Sequence, residues 1–213
     1  GVALNCVANG KLYKKGFYDN IWIQPASGDA GGSLGAAYCI HYLMKEKKRI
    51  VISKNDSMKG CFLGPEFSDI EIEEQLNKSK AIYNKYKYLK LIDIIAKELA
   101  NGSAIGWMNG RMEFGPRALG SRSIIGDARS PKMQKILNLK IKFRESFRPF
   151  APSILIEDSH NWFDLNYDSP YMLLVGNVLE KHQKKNHQSK KLFGIDRLNL
   201  QRSSVPAVTH VDF

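Results

Sequence analysis

Two segments of this chain, residues 109–123 and 142–153, combine glycine and proline with basic side chains and so restrict the folds that the chain can adopt. Proline fixes its own φ, lacks a backbone N–H and biases the preceding residue away from the helical region. Pro149 and Pro152 therefore keep the second segment from forming a regular helix. We predict that both segments are shaped loops, in which bases separated by one to five residues converge on a common anion.

Arginine is concentrated around these loops, whereas lysine is scattered along the chain. Six of the nine arginines lie between Arg111 and Arg148, where a uniform distribution would place about two. A planar guanidinium can bind two oxygens of a phosphate or carboxylate at once, which an ammonium cannot. This window therefore predicts an anion site. The alternative is a structural network of ion pairs, for which Glu113, Asp127 and Glu145 are available partners.

Composition and charge narrow the class of protein. With 43% hydrophobic and 25% charged residues, the chain has the composition of a globular protein and not of a disordered one. No stretch approaches the ~20 apolar residues of a membrane-spanning helix, and the start lacks the basic head and cleavage site of a secretory signal. The net charge of +11 is compatible with nucleic acid, a membrane surface or anionic small molecules. The three cysteines form neither a disulfide framework nor a CxxC motif, which favours a cytoplasmic location.

Near the start of the chain, the sequence predicts a strand, a glycine-rich turn and a helix. The strand covers residues 21–24, the turn follows Pro25, and the helix covers about residues 34–46. The N-terminus of such a helix offers free N–H groups and a positive dipole end to an anion. Glycine-rich turns also exist merely to turn the chain, and a lone aspartate such as Asp29 before a helix is most often a cap.

The remaining elements are predicted from caps, periodicity and chain breakers. A capping box at Ser68 and Glu71 opens one helix, and Asn101 and Gly102 end another. The predicted strands cover residues 2–4, 50–52, 104–108, 153–156 and 171–178, the further helices cover residues 68–78, 89–100 and 130 onward, and residues 180–202 form an exposed loop.

Three bases, Arg117, Lys142 and Arg148, are expected to meet at one locus. Charge-assisted hydrogen bonds of ~1.5–3 kcal/mol each would then hold two phosphates, and the same charges would stabilise phosphoryl oxygens during displacement at phosphorus. A nucleic-acid surface would instead spread bases over a wide face with stacking aromatics, for which the lysines and the tyrosines of residues 83–88 are available. No HExxH, P-loop or nucleophile-elbow motif is present, and among the histidines only His210 stays a candidate.

Segments spread over nearly the whole chain share the pattern of one family. In order, they are GVALNC (1–6), PASGDAGG (25–32), LGPEFS (63–68), GRMEFGPRALG (110–120), KFRESFRPFAPS (142–153), SPYML (169–173) and PAVTHVD (206–212). Together they resemble the NodU/CmcH carbamoyltransferase family.

The resemblance implies an α/β fold in two parts. Residues 1–50 would be the C-terminal remnant of an actin-like ATPase (ASKHA) domain, where the strand, turn and helix belong, and residues 51–213 most of a YrdC-like domain with a twisted mixed sheet and helices. The chain would thus be a C-terminal fragment. Such enzymes convert carbamoyl phosphate and ATP into carbamoyl adenylate and pyrophosphate in the YrdC-like domain. The carbamoyl group then passes to an acceptor hydroxyl at a metal-bearing site in the first domain.

The resemblance also assigns roles to residues of this chain. Arg117, Lys142 and Arg148 would act as catalytic residues that hold the phosphates of carbamoyl phosphate and ATP. Further candidates for phosphate binding are Arg122, Arg144, Gly28, Gly31 and Gly32. Asp29 would be one ligand of an iron-like or magnesium ion, with the other ligands outside the chain.

Three other functions stay open at this point. A hydrogenase-maturation carbamoyl carrier shares both domain types, a YrdC-like RNA-binding module would use the positive charge, and a structural domain would have lost activity. The expected partners are carbamoyl phosphate, ATP and a small-molecule acceptor, with neither membrane nor nucleic acid. A homo-oligomer is compatible with the sequence, which fixes neither the acceptor nor the oligomeric state.

Overall fold

The described part of the chain combines helices with short strands, so the fold is of the mixed α/β class. The computed structural model describes residues 1–50, 56–184, 197 and 200–210. Contacts divide the chain into two units. Unit 1 contains Gly1–Asn84, Trp107–Ser123 and Ser169–Val175, and unit 2 contains Lys85–Gly106, Ile124–Asp168 and Gly176–Phe213. The division into residues 1–50 and 51–213 stays a prediction.

The α-helices of the described part are α1 (Cys6–Lys14), α2 (Asp29–Tyr38), α3 (Asp69–Lys78), α4 (Tyr88–Ala100), α5 (Met133–Ile136) and α6 (Ser159–Trp162). Helix α2 continues as a π-helical segment at Cys39–Met44, and α5 continues as one at Leu137–Ile141. Single 3₁₀ turns occur at Lys59–Cys61, Ile156–Asp158, Glu180–His182 and Pro206–Val208. Within the described residues, no helix is long and apolar enough to cross a membrane.

Caps fix the ends of two helices in unit 1. The Asn5 side chain accepts a hydrogen bond from the N–H of Ala8 at 3.1 Å and so begins α1, a helix that the sequence did not predict. At α3, the hydroxyl of Ser68 accepts from the N–H of Glu71 at 3.3 Å, and the Glu71 carboxylate accepts from the N–H of Ser68 at 2.7 Å. The predicted capping box and the helix to Lys78 are confirmed.

Helix α4 is confirmed, but its apolar face is turned relative to the prediction. The half-buried positions are Leu91, Ile94, Ile95 and Leu99. Leu89, which the sequence pattern put on the buried face, is 77% exposed. Because α4 is apolar at most positions, periodicity alone does not fix which face packs.

The strands of the described part are short and form two-stranded sheets. Strand β1 (Ile105–Met108) is paired with β2 (Arg122–Ile125), and β3 (Phe163–Asp164) pairs with β4 (Asn177–Val178) in antiparallel fashion. The predicted strand at residues 104–108 is thus confirmed. The prediction for residues 171–178 is correct only at β4.

Other strand predictions are wrong. Residues 2–4 lead into α1, residues 21–24 are irregular, and residues 153–156 run irregularly into a 3₁₀ turn. A strand needs a neighbour that accepts its ladder hydrogen bonds, and in the described part of the chain these segments have none. The strand expected at residues 50–52 and most of the loop at 180–202 lie largely outside the described residues.

The core of unit 2 surrounds α5. Met133, Leu137 and Ala207 are buried together, and Ala104, Ile124 and Phe150 pack against them. Helix α5 begins at Met133, three residues later than the predicted cap at Ser130, whose backbone carbonyl accepts from the Met133 N–H at 3.3 Å. This core anchors the helix from which the basic loop of residues 142–150 departs.

Candidate functional site

Arg117 lies in unit 1 on a loop that we call the Arg117 loop, residues 113–122. Its side chain is half-buried, and its Nη2 donates a hydrogen bond to the carbonyl of Leu4 at 3.2 Å. Its Nε is buried and has no hydrogen-bond partner among the described residues. A buried donor without an acceptor costs about 1–3 kcal/mol. This guanidinium therefore has a free N–H to offer to an anion.

Glu113 binds the backbone of the Arg117 loop through its buried carboxylate. Its side chain has no solvent exposure, and its Oε1 accepts from the N–H of Leu119 at 2.6 Å and of Ser121 at 2.8 Å. Burial raises the pKa of Glu113, but the hydrogen bonds from the backbone N–H groups of Leu119, Ser121 and Arg122 outweigh it and hold the pKa below its ordinary range. The carboxylate is therefore ionised at neutral pH.

Arg122 neutralises that carboxylate. Its Nε donates to Oε2 of Glu113 at 3.1 Å, and its Nη2 donates to the carbonyl of Gly115. Gly115 has φ +118°, and a Cβ there would meet the Cβ of Ala26 at 3.1 Å, so the loop requires glycine at this position. Arg122 thus holds the loop together, and phosphate binding by this residue stays a prediction.

The glycine-rich turn of unit 1 leads directly into α2, with Gly28 as its N-cap and Asp29 as its first residue. A Cβ on Gly31 would lie 2.2 Å from the carbonyl oxygen of Ala26, so Gly31 is required by close chain approach. Gly28 and Gly32 are exposed, with nothing near a Cβ built on them. Phosphate binding by these three glycines stays a prediction.

Asp29 is exposed at the N-terminus of α2. The described residues contain no group of three or more His, Cys, Asp and Glu side chains that could hold a metal ion. The donors in this part of the chain therefore do not fit a complete metal site. A role for Asp29 as one ligand among others stays a prediction.

The basic loop of unit 2, residues 142–150, is held by a buried amide. Asn138, which has no solvent exposure, donates from Nδ2 to the carbonyls of Ser146 at 3.0 Å and of Arg148 at 2.9 Å. Its Oδ1 accepts from Nε of Arg144 at 2.6 Å. The Arg144 guanidinium also lies over the ring of Phe150, 5.0 Å from its centre.

The predicted bases of this loop differ in their surroundings. Lys142 is exposed and follows the π-helical segment. Arg144 is half-buried and held by Asn138, whereas Arg148 pairs through Nε with Glu145 at 3.1 Å, with both side chains about half exposed. Exposed pairs of this kind are worth only about 0–1 kcal/mol. Arg148 can therefore leave its partner at little cost.

His210 contacts the backbone of Phe150 at the C-terminal end of the basic loop. Its Nε2 lies 3.2 Å from both the N–H nitrogen and the carbonyl oxygen of Phe150, so a neutral ring accepts from the first or donates to the second. Burial lowers the pKa of His210, and the hydrogen bond with the Phe150 backbone raises it by less. The fold therefore favours the neutral imidazole.

The structure places the predicted bases in two groups. Arg117 and Arg122 belong to unit 1 with the glycine-rich turn, while Lys142, Arg144 and Arg148 belong to unit 2. Their convergence on one triphosphate stays a prediction. Three of the ion pairs suggested as the alternative are present: Arg122 with Glu113, Arg129 with Asp127 and Arg148 with Glu145.

Sequence reasoning missed the buried polar residues that hold these loops. Asn138 carries no motif signal, and the sequence suggests for Glu113 only the role of an ion-pair partner. It also missed the hydroxyl of Tyr171, which donates to Asp56. Burial, followed by the hydrogen bond to that carboxylate, raises the Tyr171 pKa strongly. A polar residue next to a loop rich in glycine and proline is the signal that could have pointed to Glu113.

Comparison with known proteins identifies both ends of the chain. The family model described as carbamoyltransferase C-terminus matches residues 96–213, and the model described as carbamoyltransferase N-terminus matches residues 1–38. The first match contains the Arg117 loop and the basic loop. The second contains α1 and the glycine-rich turn.

Relatives match over the whole chain. The protein sll1178 of Synechocystis sp. is 52% identical, the nodulation protein NolNO of Sinorhizobium fredii is 36% identical, and the 3'-hydroxymethylcephem-O-carbamoyltransferase of Streptomyces clavuligerus is 28% identical. Each comparison covers 100% of this chain but only 35%, 28% and 34% of these relatives, so the chain spans about a third of their length. Since the C-terminal model alone matches more than half of the residues, the chain belongs to the carbamoyltransferase family.

Proposed function

We propose that the protein is an O-carbamoyltransferase that forms carbamoyl adenylate from carbamoyl phosphate and ATP and passes the carbamoyl group to a hydroxyl of a small molecule. Membership of the carbamoyltransferase family supports the carbamoyl group as the group that is transferred. The relative named 3'-hydroxymethylcephem-O-carbamoyltransferase supports a hydroxyl acceptor on a small molecule.

The reaction balances in three steps. Water hydrolyses carbamoyl phosphate to carbamate and phosphate, and a carbamate oxygen then displaces pyrophosphate from the α-phosphorus of ATP. The acceptor hydroxyl finally attacks the carbamoyl carbon, AMP leaves, and the hydroxyl proton is released. The first two steps build or move negative charge on phosphoryl oxygens, so fixed cations are the groups that this chain can contribute.

The buried Nε of Arg117 is the observation that carries this proposal. It is a donor without a partner in the described part of the chain, on a guanidinium whose other end is fixed by the carbonyl of Leu4. A phosphate oxygen that accepts from Nε would remove the cost of the unpaired donor and gain a charge-assisted hydrogen bond. The acceptor that this arrangement favours is therefore an oxyanion.

The basic loop of unit 2 would supply further charge. Arg148 can exchange its exposed ion pair with Glu145 for a phosphate oxygen. The side chain of Lys142 is exposed to solvent and can turn toward the same ligand. Arg144 would act mainly by shaping the loop, since Asn138 and the Phe150 ring already hold its guanidinium. We include in the proposal a YrdC-like fold for the adenylating part, an actin-like ATPase fold for the part that begins the chain, and a cytoplasmic location.

The test is pyrophosphate exchange in the full-length protein. With ATP, carbamoyl phosphate and labelled pyrophosphate, we expect label to enter ATP, and Arg117→Ala to lower the exchange rate by at least about 100-fold. Arg129→Ala is the matched control, because this arginine lies in the same window but its side chain is 71% exposed and paired with Asp127. Wild-type protein without exchange, or Arg117→Ala with the rate of the control, would refute the proposal.

A further inference from the structure

We infer that Glu113 is a positioning residue, which acts on phosphate binding through Arg117. The inference rests on the proposed function. Glu113 lies at one end of the Arg117 loop, and the groups that its carboxylate binds lie on the other side of Arg117, at Leu119, Ser121 and Arg122. One side chain therefore ties both arms of the loop at a fixed separation.

The Glu113 carboxylate accepts four hydrogen bonds, three at Oε1 and one at Oε2. An ionised carboxylate offers about four lone-pair sites. The Glu113 oxygens accept from the N–H groups of Leu119 at 2.6 Å, Ser121 at 2.8 Å and Arg122 at 3.4 Å, and from Nε of Arg122 at 3.1 Å. Glu113 is the acid nearest to Arg117 in the sequence, yet among the described residues the Arg117 guanidinium donates to the carbonyl of Leu4 and not to this carboxylate.

The distribution of charge follows from this arrangement. Arg122 compensates the buried negative charge of Glu113, while the positive charge of Arg117 is left for a ligand. A buried carboxylate that paired with Arg117 would instead compete with phosphate. Glu113 and Arg122 therefore do two things for Arg117: they fix the backbone that carries it, and they leave its charge uncompensated.

The substitution Glu113→Gln tests these two effects without changing the size of the side chain. Glutamine keeps the size of glutamate and one acceptor oxygen for the backbone N–H groups. Its amide nitrogen, however, is a donor that would face Nε of Arg122, another donor. The Arg122 anchor is then lost, and Arg117 has to be ordered when the ligand binds, which weakens binding.

The experiment is a double-mutant cycle on the full-length protein, with the dissociation constant of carbamoyl phosphate measured by calorimetry. We expect Glu113→Gln to weaken binding about 10- to 100-fold in the wild-type background. In the Arg117→Ala background, the same substitution should change binding by less than about twofold, because its effect passes through Arg117. Asp127→Asn is the matched control, since it breaks a carboxylate–guanidinium pair outside the loop and should leave binding unchanged.

The outcomes separate this inference from the proposed function. Equal weakening in both backgrounds, or none in the wild-type background, would show that Glu113 has only a structural role and would overturn the inference. If Arg117→Ala binds carbamoyl phosphate with wild-type affinity, or if the wild-type protein does not exchange pyrophosphate, the proposed function itself is overturned, and this inference with it. If thermal melting shows that Glu113→Gln does not fold, Arg122→Lys replaces it in the cycle, because lysine keeps the charge but lacks the Nε and Nη2 donors.

Discussion

Asn138 offers the sharpest test of how the basic loop is held. The substitution Asn138→Ala removes three side-chain hydrogen bonds, of 2.6, 2.9 and 3.0 Å, from a residue without solvent exposure. At about 1 kcal/mol for each bond, the loss is about 3 kcal/mol. Alanine has a higher helix propensity than asparagine, by up to about 0.7 kcal/mol, which offsets part of this loss. We therefore expect the free energy of unfolding to fall by about 2–3 kcal/mol.

Gln134→Ala is the control for this prediction. Gln134 lies one helical turn before Asn138 and donates to the carbonyls of Phe147 at 3.1 Å and Arg148 at 3.2 Å, but it is only half-buried. Its loss should cost less than about 1 kcal/mol. The assay is urea unfolding followed by fluorescence and by circular dichroism, with coincident transitions required. Equal costs for the two substitutions would refute the argument that burial makes Asn138 the anchor of the loop.

Two further predictions concern the glycine-rich turn and the histidine. Gly31→Ala should lower the free energy of unfolding by about 3 kcal/mol or more, because the new Cβ would lie 2.2 Å from the carbonyl oxygen of Ala26. Gly32→Ala is the control, because a Cβ at this position meets open space. In the same urea assay, we expect Gly32→Ala to be neutral or to stabilise the protein by up to about 1 kcal/mol. Because the folded pKa of His210 is lowered, its stabilising contribution is present above the ordinary pKa of about 6.5 and is lost as the pH falls through the folded value. The urea midpoint should therefore drop between about pH 7.5 and pH 5 by more in the wild type than in His210→Gln, and parallel curves would contradict a neutral ring that accepts from the Phe150 N–H in the folded state.

Elements with local signals were predictable from the sequence. Helix α3 has both partners of its capping box within four residues, and α4 ends at Asn101 and Gly102 as expected. Helix α1 was missed because Gly10 reads locally as a turn residue. In the structure this glycine is buried, and a Cβ on it would lie 3.2 Å from the backbone nitrogen and oxygen of Val175. The reason for a glycine in α1 is thus a contact with a residue far away in the sequence, which no local pattern contains.

The sequence indicates which charged residues to consider for the candidate site, but not how the fold holds them. Residue type and clustering pointed to Arg117 and Arg148, since both follow from counting arginines in one window. The buried acceptors and donors that fix the loops could not be found in this way. Asn138 lies in a helix, where asparagine usually faces solvent. Only the path of the following loop brings the carbonyls of Ser146 and Arg148 to its amide.

The arginine window is compatible both with an anion site and with a network of ion pairs, and the structure gives a physical reason why these two do not exclude each other. The Glu113 carboxylate is fully buried, so Arg122 could leave it only by exposing an uncompensated charge to a low-dielectric interior. The Glu145 carboxylate is 54% exposed, so water can replace Arg148 there at little cost. Burial of the acidic partner, and not the presence of a pair, therefore decides which arginine is committed to the fold and which is available to a phosphate.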